Sequence, residues 1–174
     1  MRIIGMLGGM SWVSTASYYA CLNRLASERM GGLHSARILL HSVDFAPITQ
    51  MQKAGDWESS GLVLAEAARG LEAAGAGVMM IAANTMHIVA DQVRDATALP
   101  FIHIADATAD AIAAAGLKRP GLIATAVLLQ SDLTWDKLTT QASTTAQGLF
   151  ATDSTAEAPA LPRRFGPGSD ADAP

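Results

Sequence analysis

The residues that could do chemistry lie in four short segments, each placed where a predicted strand gives way to a loop or helix. The segments are 8–14, 44–52, 83–87 and 105–108. In an open parallel sheet, ligands bind at the carboxyl ends of the strands. The sequence therefore predicts a ligand site at one edge of a sheet, built from these segments.

The first segment belongs to a glycine-rich loop, Gly5-Met6-Leu7-Gly8-Gly9-Met10-Ser11. The loop has neither the GxGxxG spacing of dinucleotide-binding proteins nor the lysine of a P-loop, which argues against a generic nucleotide-binding module. Glycines before a helix N-terminus suit a small anion such as a carboxylate. A tight strand-to-helix turn without a ligand would need the same residues, so both interpretations stay open on spacing alone.

The third segment, Ala83-Asn84-Thr85-Met86-His87, also joins a predicted strand to a predicted helix. Asn84 and Thr85 can cap that helix. The same side chains, with backbone N–H groups, could also hold a polar ligand. His87 is a candidate general base, although its place inside the predicted helix favours a structural role.

The remaining histidines and the single cysteine predict no metal site. An odd separation places His34 and His41 on opposite faces of an extended strand. His87 and His103 lack companion ligands at helical or loop spacing. Cys21 lies on the predicted apolar stripe of the first helix, which favours a packed core residue over a nucleophile. One cysteine also excludes an intrachain disulfide.

Composition narrows the class of protein further. The chain has 174 residues, of which 50% are hydrophobic, and a formal net charge of -4. This length suits one domain, or one domain with part of a second. Mild acidity argues against binding of nucleic acid, which needs a basic surface. The sequence shows no signal peptide and no membrane-spanning apolar stretch, so we expect a cytoplasmic protein with no membrane partner.

Strand-like and helix-like segments alternate over the first 125 residues. Strands are predicted at 2–7, 37–43, 77–82, 99–104 and 121–125, and helices at 14–29, 59–74, 85–96 and 107–115, with a polar connection containing a short helix at 44–57. Continuous apolar strands separated by helices are typical of a parallel sheet covered on both faces. The predicted fold is α/β: a doubly wound parallel sheet of about four to five strands with helices on both faces.

The alternation stops after Ala126, which predicts three regions of different character. Residues 1–116 form the predicted N-terminal α/β domain, and 117–141 the start of an incomplete second α/β domain. Residues 142–174 are rich in Ala, Thr, Ser, Pro and Gly. A segment with so few large apolar residues cannot offset its ordering entropy, so we expect this tail to be disordered.

Several segments occur together in one order along the first 125 residues: IGMLGGMSWVSTASYY, GGLHSARILLHSVDF, MQKAGDW, AANTMH and PFIHIADAT. In combination they resemble the N-terminal half of the aspartate/glutamate racemase family, the cofactor-independent amino-acid racemases. The resemblance implies two similar α/β domains with a cleft between them. It also implies two-base proton transfer at the α-carbon of a small acidic amino acid, with no cofactor.

The resemblance also gives roles to individual residues. Met10, Gln52, Asn84 and Thr85 match the substrate-binding positions of the family, where donors would hold the substrate carboxylate. The first proton carrier of the family, usually a cysteine and in some members a threonine, precedes the Asn-Thr pair. In this chain Ala83 stands at that catalytic position, and a methyl group carries no transferable proton.

The second proton carrier of the family is a cysteine in a Gly-Cys-Thr-Glu type motif of the second domain. This chain has neither that motif nor any cysteine after Cys21. We therefore expect a truncated, catalytically impaired racemase. The alternative is a non-catalytic half-domain, the product of a frameshift, that at most binds a small acidic amino acid. The face near Met10, Gln52 and Ala83 is expected to lack cover, which predicts self-association into a homo-oligomer.

Overall fold

The computed structural model describes residues 1–117, which form four strands and their connecting helices. The strands are β1 (Ile4–Gly8), β2 (Ile38–Ser42), β3 (Val78–Ile81) and β4 (Phe101–Ile102). The α-helices are α1 (Trp12–Met30), α2 (Phe45–Ala54), α3 (Trp57–Ala73), α4 (Ala90–Asp95) and α5 (Ile104–Ala114), and a 3-10 helix covers Thr85–Val89. The predictions for 121–125, for the rest of 117–141 and for 142–174 lie outside the described residues.

All four strands pair in parallel, in the order β2-β1-β3-β4. Met6 of β1 lies opposite Leu40 of β2 on one side and Met80 of β3 on the other. The chain therefore leaves β1 in one direction to form β2 and returns past β1 to form β3. This confirms the predicted α/β fold, and it places the topological switch point between β1 and β3, where ligands of such sheets bind.

Two glycines of the central strand β1 let its neighbours approach closely on opposite faces of the sheet. A side chain at Gly8 would lie 2.5 Å from Thr15 Cγ2 in α1. A side chain at Gly5 would lie 2.9 Å from Ala76 Cβ, in the connection between α3 and β3. Side chains an odd number of positions apart along a strand point to opposite faces. The α1 connection and the α3 connection therefore cover opposite faces of β1.

The main core lies between the sheet and the helices α3 and α4. The apolar face of α3 repeats with helical spacing, as its buried residues show. Leu7 of β1 and Met79 and Ile81 of β3 face these residues from the sheet and are also buried. The buried residues of α3 and α4 in this cluster are Leu64, Ala67, Ala68, Leu71 and Val93.

The strand predicted at 37–43 is present as β2, but the expectation that the sheet is covered on both faces was wrong for this strand. Strand β2 lies at the edge of the described sheet, and its last three residues are exposed. Leu40, in the middle of β2, is 46% exposed. A continuous apolar run can form an interior or an edge strand, and the order of strands in the sheet decides which.

The prediction that Cys21 is a packed core residue was also wrong, because its thiol is exposed. The buried residues of α1 are Thr15 and Ala26. At about 100° per residue, Cys21 lies about 140° around the helix from Ala26 and about 120° from Thr15. It therefore points away from the sheet, and its sulfur contacts the Arg24 guanidinium at 3.7 Å instead.

The helix predicted over 85–96 is divided into a 3-10 helix and the short helix α4. In an α-helix the His87 N–H would donate to the carbonyl of Ala83. It donates instead to the Asn84 carbonyl at 3.0 Å, while the Ala83 carbonyl is 2.9 Å from Nδ1 of the His87 ring. The side chain has taken the acceptor of the α-helical bond, so the backbone winds more tightly here.

Candidate active site

A pocket of about 230 Å³ opens beyond the carboxyl ends of β1 and β3, at the topological switch point. It brings together all five residues singled out from the sequence. Ser14, Phe45 and Met86 complete its lining, beside Met10, Gln52, Ala83, Asn84 and Thr85. A pocket of this size suits a small metabolite.

The glycine loop after β1 forms the first wall of the pocket. Gly9 has φ +89°, and a side chain there would collide with the backbone carbonyl of Val43. The buried Gly9 N–H donates to Thr15 Oγ1 at 2.9 Å, and the same hydroxyl donates to the Ser11 carbonyl at 3.1 Å. These bonds fix the loop on both sides of Met10, whose side chain is buried against the pocket.

Ser11 has φ 59° and ψ 117°, and among residues 1–117 it is the one non-glycine residue with a positive φ. A backbone held in a sparsely populated region costs of order 1–3 kcal/mol and is common at functional sites. The surrounding hydrogen bonds of Gly9 and Thr15 hold this conformation. The strained residue directly follows Met10, so the strain is located at the pocket wall.

A hydrogen bond from α1 fixes the second wall, which follows β3. Ser14 Oγ donates to the Ala82 carbonyl at 3.2 Å. The Ala82 N–H donates to the Leu7 carbonyl at 2.8 Å, which continues the pairing of β3 with β1. Ser14 therefore both lines the pocket and ties its two walls together.

Gln52 reaches the pocket from the last turn of α2. Asp44 caps the start of this helix by accepting the Ala46 N–H at 3.1 Å, and buried Ile48 anchors the helix on the core. Gln52 Nε2 donates to Met86 Sδ at 3.0 Å. A thioether is a weak acceptor, so a carboxylate in the pocket would replace it at small cost.

Asn84 and Thr85 follow β3 at the mouth of the pocket. Asn84 occupies the cap position of the 3-10 helix, but its side chain makes no capping hydrogen bond, so the expectation that it caps the helix was wrong. The Asn84 side chain is exposed, and Thr85 is half-buried. Both can therefore turn polar atoms toward a ligand without breaking a helix cap.

Ala83 lies at the bottom of this wall and is 6% exposed. Its side chain is a methyl group that lines the pocket and can neither donate nor accept a proton. His87, considered from sequence as a general base, does not line the pocket and is 3% exposed. Its ring contacts backbone atoms, with Nδ1 near the Ala83 and Asn84 carbonyls and Nε2 near the Ile104 N–H.

The pocket lining carries no formal charge, since it contains only apolar, amide and hydroxyl side chains. Within residues 1–117, no group of three or more His, Cys, Asp or Glu side chains could hold a metal ion. No helix in that same part of the chain is long and apolar enough to cross a membrane.

Three residues of the lining were missed as individual site residues. Ser14 and Phe45 lie inside segments that the sequence marked as strand ends, so their neighbourhood was visible. Their direction was not, because it depends on where α1 and α2 begin. Met86 lies in the third segment, but its apolar type gave no sign of a site residue; it is fully buried, and its sulfur faces Gln52.

Large apolar side chains are exposed near the carboxyl edge of the described residues. Trp12 is 73% exposed and Val13 54%, and both begin α1 beside the glycine loop. Phe45, at the pocket rim, is 40% exposed. Self-association through this face remains a prediction.

Solved structures similar to this chain carry racemase names. A Yersinia pestis protein assigned as an Asp/Glu racemase is 49% identical, with a TM-score of 0.66 over 68% of this chain and 51% of that one. An aspartate racemase homologue from Pyrococcus horikoshii OT3 is 30% identical, with a TM-score of 0.74 over 81% of this chain and 62% of that one. Picrophilus torridus aspartate racemase, 23% identical, shares the fold with a TM-score of 0.67 over 79% and 58% of the two chains.

The chain thus spans between about half and three-fifths of the length of these structures. The sequence model of the Asp/Glu/Hydantoin racemases matches residues 7–159. This match continues past Thr125, whereas the segments that carried the resemblance all lie within the first 125 residues. Most of the chain is covered by it, and the chain belongs to the Asp/Glu/Hydantoin racemase family.

Proposed function

We propose that the pocket binds a small acidic amino acid and that this chain is impaired in the proton transfer of a cofactor-independent, two-base amino-acid racemase. One observation carries the proposal. Met10, Gln52, Asn84 and Thr85 line a single pocket, and the side chain between them at the position of the family's proton carrier is the methyl of Ala83.

The pocket offers the donors that an amino acid needs. The Gln52 and Asn84 amides and the Thr85 hydroxyl can each hydrogen-bond a carboxylate oxygen. The Gln52 amide is held only by a thioether among the described residues, so it is available to a stronger acceptor. Hydrogen bonds to a charged acceptor contribute about 1.5–3 kcal/mol each, so a few such donors can hold a carboxylate without an arginine.

Proton removal from an α-carbon needs a general base within about 2.6–3.2 Å of that proton. Ala83 supplies none. The hydroxyls of Ser14 and Thr85 would need an activating base beside them, and the described lining contains no His, Lys, Asp or Glu. Binding and chemistry are therefore separated: the pocket retains its ligand donors and lacks the group that moves the proton.

Binding is tested first, by titrating the full chain with L-aspartate and L-glutamate in a calorimeter. A neutral hydantoin serves as the comparison ligand, because the family description also includes hydantoin racemases. Saturable binding of an acidic amino acid, weakened by Gln52→Ala, supports the proposal. Binding of the hydantoin alone would overturn the substrate class.

Chemistry is tested by exchange of the α-proton of L-aspartate in deuterated water. We expect no exchange above that of heat-denatured protein. Ala83→Cys restores an acid–base group on one face of the α-carbon. With L- and D-aspartate both assayed, we expect exchange with retention of configuration in the enantiomer whose α-proton faces position 83. Ala83→Ser is the matched control, since a hydroxyl without a base should stay inactive. Exchange catalysed by the unmodified chain would refute the proposed impairment.

A further inference from the structure

We propose that His87 is a positioning residue, whose ring Nδ1–H fixes the pocket wall formed by Ala83, Asn84 and Thr85. The inference rests on the proposed function, because it gives His87 a part in holding the ligand site. It differs from the general-base interpretation in that His87 acts through the backbone and touches no ligand.

The partners of the ring define its protonation. Nδ1 lies 2.9 Å from the Ala83 carbonyl oxygen and 3.2 Å from that of Asn84. Carbonyl oxygens only accept, so Nδ1 carries the proton. Nε2 lies 3.3 Å from the Ile104 backbone nitrogen, whose N–H donates to it. In these hydrogen bonds the His87 ring is therefore a neutral imidazole with its proton on Nδ1.

The ring is held in this direction by its neighbours. His87 is 3% exposed. Its ring packs edge to face on His103 at a centroid distance of 4.6 Å and on Phe101 at 6.2 Å. His103 is itself fixed at the start of α5, where its Nδ1 accepts the Ala105 N–H at 3.1 Å. Residues at the junction of β4 and α5 thus fix the orientation of the His87 ring, and the ring in turn fixes the pocket wall.

The pocket wall depends on the ring because Ala83 has one carbonyl with two competing donors. In the structure the ring takes it, and the His87 N–H turns to the Asn84 carbonyl to give the 3-10 helix. Without a ring donor, the His87 N–H can recapture the Ala83 carbonyl and rewind the turn as an α-helix. That change would rotate Asn84 and Thr85 relative to the pocket.

Two substitutions of His87 distinguish the hydrogen bond made by Nδ1 from the one made by Nε2. In His87→Asn the side-chain amide can stand where Nδ1 stands and donate to Ala83. In His87→Gln the longer side chain reaches toward Ile104 and leaves the Ala83 carbonyl without its donor. Both variants lose the same packed ring, so a similar drop in stability is expected for each. His34→Asn, in an exposed loop, is the control for replacing a histidine.

The affinity for L-aspartate is then measured in both variants, because a merely structural role of His87 would lower it equally in the two. We expect His87→Asn to bind within about threefold of the unmodified chain and His87→Gln to bind about tenfold more weakly or worse, which corresponds to about 1.4 kcal/mol. If both variants lose affinity in proportion to their loss of stability, or if both bind like the unmodified chain, the positioning role is refuted.

A measurement without ligand keeps this outcome distinct from failure of the proposed function. Nitrogen-15 NMR of the unliganded protein should show His87 protonated at Nδ1 and not at Nε2. The amide signals of Asn84 and Thr85 should shift in both variants, because both lose the ring, and should shift clearly further in His87→Gln than in His87→Asn. That pattern, together with no binding of L-aspartate, would reject the substrate class and retain the positioning role. A proton on Nε2 would overturn the positioning role whatever the ligand.

Discussion

Thr15 is the buried hydroxyl on which the conformation of the glycine loop depends, and Thr15→Val removes that hydroxyl with almost no change of shape. The side chain accepts the Gly9 N–H at 2.9 Å and donates to the Ser11 carbonyl at 3.1 Å. The residue is 5% exposed. After substitution, the Gly9 N–H is left in a buried place without its acceptor.

The magnitude follows from the two bonds taken separately. A buried donor left without its partner costs about 1–3 kcal/mol. The Ser11 carbonyl loses less, because it also accepts the Thr15 backbone N–H at 3.2 Å. We therefore expect the free energy of unfolding to fall by about 1–3 kcal/mol, nearly all of it from Gly9.

Thr108→Val is the matched control for this change. The Thr108 hydroxyl donates to the carbonyl four residues earlier, at 2.7 Å, and the residue is exposed. The same substitution there leaves every group open to water, so the effect should stay within about 0.5 kcal/mol. Thr15→Ser keeps the hydroxyl and loses one methyl group, which predicts a cost of about 0.8 kcal/mol.

Urea unfolding of the full chain, followed by circular dichroism, measures these differences. The midpoint should move for Thr15→Val while the slope stays constant, because the surface exposed on unfolding is unchanged. L-aspartate binding should weaken in the same variant, since the loop carries Met10. If Thr15→Val is as stable as Thr108→Val, the hydroxyl does not organise the loop and the account of this wall is wrong.

Three further predictions concern the backbone and the titrating groups. Gly9→Ala should destabilise the chain more than Gly31→Ala, because both residues have positive φ but only at Gly9 would the added carbon meet backbone atoms; urea midpoints compare the two. A hydrogen bond from the Ser59 N–H lowers the pKa of Asp56 below its ordinary value of 3.8. Its contribution to stability is present above that value and is lost as pH falls through the lower folded pKa. Thermal unfolding should therefore show the unmodified chain losing more stability below about pH 4 than Asp56→Asn, which caps α3 without titrating; parallel curves would contradict this. Burial raises the pKa of Tyr18, so in Tyr19→Phe, which leaves one tyrosine, tyrosinate absorbance should appear with a midpoint above 10, and a midpoint at or below 10 would contradict it.

The sequence was sufficient to predict the parallel sheet and the meeting of the five pocket residues, because both depend on local signals. Apolar runs ending in glycine or in an Asn-Thr pair mark the carboxyl ends of strands, and parallel pairing then brings those ends to one edge. The position of Gln52 needed one more step, since it lies a full helix beyond the end of β2. The spacing of strands placed its segment, 44–52, at this edge of the sheet, and the family resemblance singled out Gln52 within the segment.

The errors arose where a contact distant in sequence overrides a local pattern. The buried face of α1 contains Thr15 and Ala26, because Gly8 leaves room for small residues against the sheet. The apolar stripe had instead predicted that Cys21 packs in the core. The 3-10 helix after β3 depends on the His87 ring, whose direction is set by a strand and a helix formed later in the chain. Neither effect has a signature in the periodicity of the segment itself.

These contacts also explain how the pocket can keep its shape with an alanine at position 83, where we propose that the proton carrier of the family would stand. The wall after β3 is held by Ser14 at the Ala82 carbonyl and by the His87 ring at the Ala83 carbonyl. Both bonds go to the backbone, so neither depends on the side chain at position 83. Exchange of that side chain therefore alters acid–base chemistry without altering the frame that positions Asn84 and Thr85. Under the proposed function, the ligand site and the position of the proton carrier are structurally independent, so a chain can lose the proton carrier and retain the ligand site.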